Sequence, residues 1–432
     1  MKTNCRKTFV RVICFALLLC LVLPFPSCKK GITPENKETT VYIATDIHLF
    51  SDTLVGEDNQ VYLKDKFTSD GRIQEYDYEL VKALVDKVND SNPDFLVLTG
   101  DLSFNGEKDS HTELARLLGE VNDSTQVLVI PGNHDVYSLD AVSVLNDTIE
   151  SIPGISADEF KEIYADFGYS GAYSYDKGSL SYIYELDEDK WALMLDTTQS
   201  KYNEQNGQGI VGGFIEGETL RWLEEKLAYA KENNITVISF THHNLTVHNE
   251  LFKTSYTLGN YEQILALYAK YGVKLNFSGH LHIQSIKSEE IDGEQIYDIC
   301  GGSLLDYGNR YGVLEIYENC YSYESFKLDV STYAEDLEQY SFDVFCKKYY
   351  NKTLWSYLGS MGEEQGTKAV KLLSEINSYY FDGDYEKISA LVKKNKKLVR
   401  QIKENTPYYE TSYVRSIIEV EKKNQHKLII ER

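Results

Sequence analysis

The sequence predicts an α/β fold: two packed sheets flanked by helices, a four-layer α/β/β/α sandwich with a dinuclear metal site at its strand ends, plus a C-terminal helical appendage. Three observations predict it. Short apolar runs alternate with helical patterns early in the chain, and strand pairs crowd the stretch from Gly178 to Val330. Five of the apolar runs stop at Asp, Asn or His. A short β-rich run ending in this way reads as a buried strand that delivers a polar group to its end. Open α/β sheets carry their chemistry at the carboxyl ends of their strands.

The five strand ends follow in order. Asp46-x-His48 follows Val41–Ala44, Gly100-Asp101 follows Phe95–Leu98, and Gly132-Asn133-His134-Asp135 follows Val127–Ile130. Thr241-His242-His243 follows Val237–Phe240, and Gly279-His280-x-His282 follows Leu275–Phe277. Helical periodicity fills the spaces between them at Tyr76–Asn89, Asp109–Val121, Glu216–Glu232 and Asn260–Tyr271. Further strands are predicted at Ser179–Leu186, Trp191–Asp196, Gln295–Cys300, Tyr311–Tyr317 and Tyr321–Leu328. Beyond Ser331 the pattern is helical, at Ala334–Lys348, Gly366–Ser378, Asp384–Lys394 and Ser412–Gln425, with Lys394–Lys397 on a solvated face.

Asp46, His48, Asp101, Asn133, His242, His280 and His282 make too large a donor set for one tetrahedral zinc. They suit two divalent ions that share a bridging carboxylate. Two ions roughly 3.5–4 Å apart clamp the attacking and leaving oxygens of a phosphoryl displacement. In an extended segment residues i and i+2 point the same way, so D-x-H and H-x-H are expected to face one cavity by strand alternation. His243 is expected to project elsewhere, His111 to lie on a helix surface, and His248 to sit on the loop after His242.

The ordered set D-x-H, G-D, G-N-H-D, H and G-H-x-H, spanning about residues 40–310, resembles the calcineurin-like metallophosphoesterase superfamily. The resemblance implies that Asp46, His48 and His282 hold one metal, that Asn133, His242 and His280 hold the second, and that Asp101 bridges them. It implies two divalent ions (Mn, Fe or Zn), a metal-bridging hydroxide as nucleophile and a small phosphorylated substrate. His134 is then the catalytic group at the leaving oxygen, with Asp135 orienting its ring. Phe104 stands where purple acid phosphatases carry an iron-binding Tyr, which points away from a ferric site. Gly100-Asp101-Leu102-Ser103-Phe104-Asn105-Gly106 lacks the G-D-x-x-D-R-G of serine/threonine phosphatases and is closer to phosphodiester-cleaving branches. His243-Asn244-Leu245 replaces the His-Pro-Pro common there. The expected function is therefore metal-dependent phosphoester hydrolysis with phosphodiesters favoured. A phosphomonoesterase or a non-catalytic surface-binding lipoprotein is the alternative.

Residues 1–28 read as a signal peptide, with Lys2, Arg6, Lys7 and Arg11 ahead of an apolar Val12–Leu23 too short to span a bilayer comfortably. Ser27-Cys28 at its end resembles a bacterial lipoprotein processing site. The expectation is a lipid anchor to the membrane at Cys28 on the extracellular face of the bacterial cell envelope, with a cleaved secretory signal as the alternative. Residues 29–39 then form a tether, 40–330 the motif-bearing domain and 331–432 the helical region. The net charge is −23; the signal removes four basic and no acidic residues and leaves −27. Such a surface repels nucleic acid, and no basic stripe offsets it. Cys300, Cys320 and Cys346 remain after the signal, read as buried thiols or as one disulfide and a thiol. Leu49–Ile73 and Tyr137–Gly171 are expected to wall the pocket, because loops at such strand ends set specificity, and Asn203–Gly213, with Gly207, Gly209, Gly212 and Gly213, is expected to be mobile.

Overall fold

The computed structural model describes residues 32–55, 71–145 and 148–432. The proposed signal, Cys28 and most of the Leu49–Ile73 segment lie outside the described residues. Fifteen strands follow in chain order: β1 (Lys37–Ala44), β2 (Phe95–Thr99), β3 (Gln126–Ile130), β4 (Val142–Leu145), β5 (Thr148–Ser151), β6 (Ser174–Tyr175), β7 (Tyr182–Asp187), β8 (Lys190–Leu195), β9 (Thr236–Thr241), β10 (Leu275–Ser278), β11 (Ser285–Ile291), β12 (Glu294–Cys300), β13 (Arg310–Tyr317), β14 (Cys320–Lys327) and β15 (Lys427–Glu431). The main helices are α1 (Asp77–Ser91), α2 (Lys108–Leu118), α3 (Ala157–Ile163), α4 (Gly217–Glu232), α5 (Tyr261–Tyr271), α6 (Leu337–Met361), α7 (Glu363–Asp382), α8 (Tyr385–Lys394), α9 (Lys396–Asn405) and α10 (Tyr413–Ile418).

Two sheets form the sandwich. The first runs β15-β14-β13-β1-β2-β3 and the second β11-β12-β10-β9-β8-β7-β6. β1, β2 and β3 are parallel, as are β8, β9, β10 and β12, so both sets point their carboxyl ends at the loops that carry the motifs. Every residue of β8 is buried, because both of its faces are covered. Ala192 and Met194 face the first sheet within the main core, whereas Trp191, Leu193 and Leu195 pack under α4 and α5 with Leu223, Leu227 and Ile264. The Tyr182 hydroxyl crosses between the sheets and donates to the Val129 carbonyl at 2.9 Å. Leu80, Leu84 and Leu114 of α1 and α2 close the outer face of the first sheet, which gives the four expected layers.

The region after Ser331 differs in part from expectation. It is helical through α6–α10, but it ends in β15, which pairs antiparallel with β14 from Cys320↔Glu431 to Glu324↔Lys427. The helix expected over Ser412–Gln425 is only α10, Tyr413–Ile418. β1 begins at Lys37, inside the stretch expected as a tether. Cys300, Cys320 and Cys346 are all free thiols. Among the described residues no helix is long and apolar enough to cross a membrane.

A buried ion pair joins the helices to the sheet. Arg310 of β13 donates through Nε to Asp382 Oδ1 at 2.6 Å, at the end of α7. Removing one partner of such a pair leaves a buried charge alone. Asp382→Ala is therefore expected to destabilise the fold by about 3–5 kcal/mol in urea unfolding, with the double change to Arg310→Met and Asp382→Leu costing less.

Candidate metal centre

The loops after β1, β2, β3, β9 and β10 bring all seven expected donors together. Two groups form: Asp46, His48, Asp101 and His282, and Asp101, His242 and His280, with the ligand atoms of each group within 4.8 Å of one another. Asp101 belongs to both. Asn133 adds its Oδ1 3.1 Å from His242 Nε2. His242 Nε2 is 3.3 Å from Asp101 Oδ2, His282 Nε2 is 3.2 Å from Asp46 Oδ1, and the Nε2 atoms of His48 and His282 are 3.4 Å apart. With metal–ligand bonds of about 2.0–2.2 Å, donors on one ion stand roughly 3–3.5 Å apart. The spacings fit a cation in each group.

The loops meet through their backbones. Asp46 N donates to Gly100 O at 3.1 Å, His48 N to Asp101 O at 2.9 Å and Gly279 N to His242 O at 3.0 Å. The paired motifs do not converge by strand alternation. Asp46, His48, Asp101, His280 and His282 all have left-handed φ, from +45° to +67°, so turns beyond the strand ends aim the side chains. Glycine permits the close approach: a Cβ on Gly132 would collide with the Asp101 carboxylate, and one on Gly279 with Thr45 and Asp46.

Each second ring nitrogen of three candidate ligands has a fixed partner, which sets its tautomer. His242 Nδ1–H donates to Thr99 O at 3.0 Å, His280 Nε2–H to Ser255 O at 3.0 Å and His282 Nδ1–H to Asp306 Oδ2 at 2.6 Å. The other nitrogen of each ring is left to face the cluster. Among the described residues the buried His48 Nδ1 has no hydrogen-bond partner. This donor set fits divalent cations. Thr99, Ser255 and Asp306 carried no signal in the sequence, since each reaches its histidine across a long chain separation.

Electrostatics follow burial and charge. Burial raises the Asp101 carboxyl, but His242, His134 and His48 outweigh it and hold it well below the usual range. Burial disfavours the His242 cation, yet Asp101 and Asp46 push it up to about 9. Burial likewise opposes the His282 cation, and Asp46 and Asp306 raise it to about 9. Burial takes His48 well below its ordinary value, with Arg72 adding to the effect.

Three expectations are corrected. Asp135 does not orient His134: its buried carboxylate accepts from the amides of Leu102, Ser103 and Gly132 at 2.8–3.1 Å and ties two motif loops together. Asn105 takes that place, with His134 Nδ1–H donating to its Oδ1 at 2.7 Å. His111 is not on a surface. It is fully buried, accepts at Nδ1 from the Tyr164 hydroxyl at 2.9 Å and donates from Nε2 to Asp135 O at 3.0 Å. His243 stays at the centre, its ring centroid 4.5 Å from that of His280 and its Nε2–H on Val211 O. The Asn203–Gly213 segment thereby adjoins the site. His248 lies on the expected loop but is buried, its Nε2 3.3 Å from Asp298 Oδ2.

Residues 39–284 match the calcineurin-like phosphoesterase family, and the chain belongs to it. That family is one of dinuclear metal-dependent phosphoesterases. The chain is 27% identical over 190 residues to a 3′,5′-cyclic-nucleotide phosphodiesterase of Nostoc, covering 44% of this chain and 56% of that protein. The chain thus spans about half the length of the curated relative that it matches. Among solved structures it is similar to a dimetal phosphatase from Danio rerio (TM-score 0.47, 13% identity, 67% of this chain and 96% of the other). It is also similar to a sulfate thiohydrolase from Thermus thermophilus (TM-score 0.36, 11% identity, 74% and 62%).

Gly132→Ala is expected to push the Asp101 carboxylate out of both groups while leaving every donor atom in the chain. Metal content, read by elemental analysis after reconstitution, should fall by about half or more, as for loss of a supporting contact to a metal site.

Proposed function

We propose that this chain is a hydrolase of phosphoester bonds that works with two divalent cations and prefers phosphodiesters. Asp46, His48 and His282 hold one cation, Asn133, His242 and His280 the other, and Asp101 both. The observation that carries this reading is the single buried carboxylate common to the two donor groups. When bound, two such cations neutralise phosphoryl oxygens and lower the pKa of water to the range where it is a nucleophile at neutral pH. The relative named as a cyclic-nucleotide phosphodiesterase supports the diester preference.

The protein's own residues supply the proton. His134 lies at the edge of the first group, its ring centroid 5.1 Å from that of His48. Asn105 Oδ1 only accepts, so it fixes the hydrogen on His134 Nδ1 and leaves Nε2 to meet the substrate. Protonated there, the imidazolium gives its proton to the departing oxygen. Asp135 acts as a positioning residue that holds the loop carrying His134 against the loop carrying Asp101.

Asp101→Ala should lose both cations in elemental analysis; wild-type metal content in that variant would overturn the ligand set. His134→Ala should keep both cations and lower turnover by roughly 10²–10⁴ on alkyl esters, as for removal of a general acid. The loss should be smaller on 4-nitrophenyl esters, whose leaving group departs without a proton. Metal loss in proportion to activity would instead make His134 a ligand.

We further propose that the enzyme acts outside the cell, held by a lipid on Cys28. A lipid chain contributes about 0.8 kcal/mol per buried CH₂. Cys28→Ser is expected to move the protein out of the membrane fraction or leave it unprocessed. A mature N-terminus other than residue 28 would favour simple secretion.

A further inference from the structure

Beside the metal centre lies a cleft of ≈ 680 Å³ that the helical region builds against the loop after β9. One stripe of α6 lines it with Phe345, Tyr349 and Tyr357, at the spacing that puts residues on one helix face. Phe252, Tyr256 and Tyr413 line the other side. The volume falls within the roughly 300–1,000 Å³ of small-molecule sites, and the aromatic walls suit a flat ring.

The cleft reaches the metal centre at Tyr256, whose ring centroid is 4.8 Å from that of His280; the His280 Nε2–H is held by the adjacent Ser255 carbonyl. Lys348 of α6 also lines the cleft, its Nζ 5.7 Å from the Phe345 ring centroid. A lysine set against an aromatic wall suits an anionic oxygen attached to a ring.

We propose that this cleft receives the organic group that stays on phosphorus, that this group is an aromatic ring, and that Lys348 meets the phosphoryl oxygen on its side. The proposal rests on the phosphoesterase reading above. The retained group is assigned because His134, which serves the leaving oxygen, stands 5.1 Å by ring centroids from His48 of the first donor group, whereas the cleft meets His280 of the second through Tyr256.

The test compares methyl 4-nitrophenyl phosphate with phenyl 4-nitrophenyl phosphate on the reconstituted full chain. Water breaks the same P–O bond in both and releases the same 4-nitrophenolate, so only the retained group differs. The phenyl ester should show a KM about tenfold lower, the order of one stacked aromatic contact. Ser356→Trp, which fills the cleft from an exposed position on α6, should raise the KM of the phenyl ester about tenfold more than that of the methyl ester. Lys348→Met should raise both. Calorimetry supplies a second readout: phenyl phosphate should bind more tightly than methyl phosphate, and Ser356→Trp should remove the difference, with circular dichroism confirming its fold. Hydrolysis of both esters with equal KM, unchanged by Ser356→Trp, would overturn the cleft while the phosphoesterase reading stands. If neither ester is cleaved but phenyl phosphate binds selectively and Ser356→Trp abolishes this, the cleft stands and the hydrolytic reading falls.

Discussion

Asp101 is the constraint on which the rest depends. It is a carboxylate buried at 2% exposure among four imidazoles, and a charge in such a place survives only with charge-assisted partners around it. His242 and His48 approach it from one side and the His134 amide donates to its Oδ1 at 3.0 Å. Those partners arrive on three different loops. Both sheets must therefore be in register, with their carboxyl ends facing one another, before this one group is satisfied. The sandwich and the polar cluster are two descriptions of a single packing solution.

The helical region belongs to that solution. α7 delivers Asp382 to Arg310, the Tyr380 hydroxyl accepts from Asn249 Nδ2 at 2.8 Å, and Gln284 donates to the Gln425 carbonyl at 2.7 Å. Asn249 sits on the loop that follows His242 and Gln284 follows His282. Segments that hold the histidine loops in place are thus themselves held from residues far along the chain. The helices stiffen the rim of the site from outside, while Asp298 stiffens it from within by accepting from the amides of Leu245 and Thr246.

Much of this was legible in the sequence because strands buried on both faces leave continuous apolar runs, and the residues that break those runs are the donors. Trp191–Leu195 and Val237–Phe240 are examples. What stayed hidden has physical causes. β11 reads Ser-Ile-Lys-Ser-Glu-Glu-Ile and is an edge strand, so solvent permits polar residues on it and its periodicity is blurred. β15 is short and pairs only through β14. Asn105, Ser255 and Asp306 are ordinary loop residues until tertiary approach places each on a histidine. Helical position alone does not tell that the face carrying His111 meets Tyr164. Turns beyond the strand ends, and not strand alternation, bring the residues of D-x-H and H-x-H together.

Those turns carry a consequence for how the protein can change. A non-glycine residue in the left-handed region costs about 1–2 kcal/mol, and Asn or Gly tolerates it best. His48, His280 and His282 each sit there. Replacing any of them with Gly or Asn removes a donor and relaxes the backbone in the same step. At His282 that relaxation is outweighed, because the buried Asp306 carboxylate loses its partner. His48 is where the local backbone most favours loss: its Nδ1 has no hydrogen-bond partner among the described residues, so a copy of this fold freed from its catalytic task would shed that histidine first.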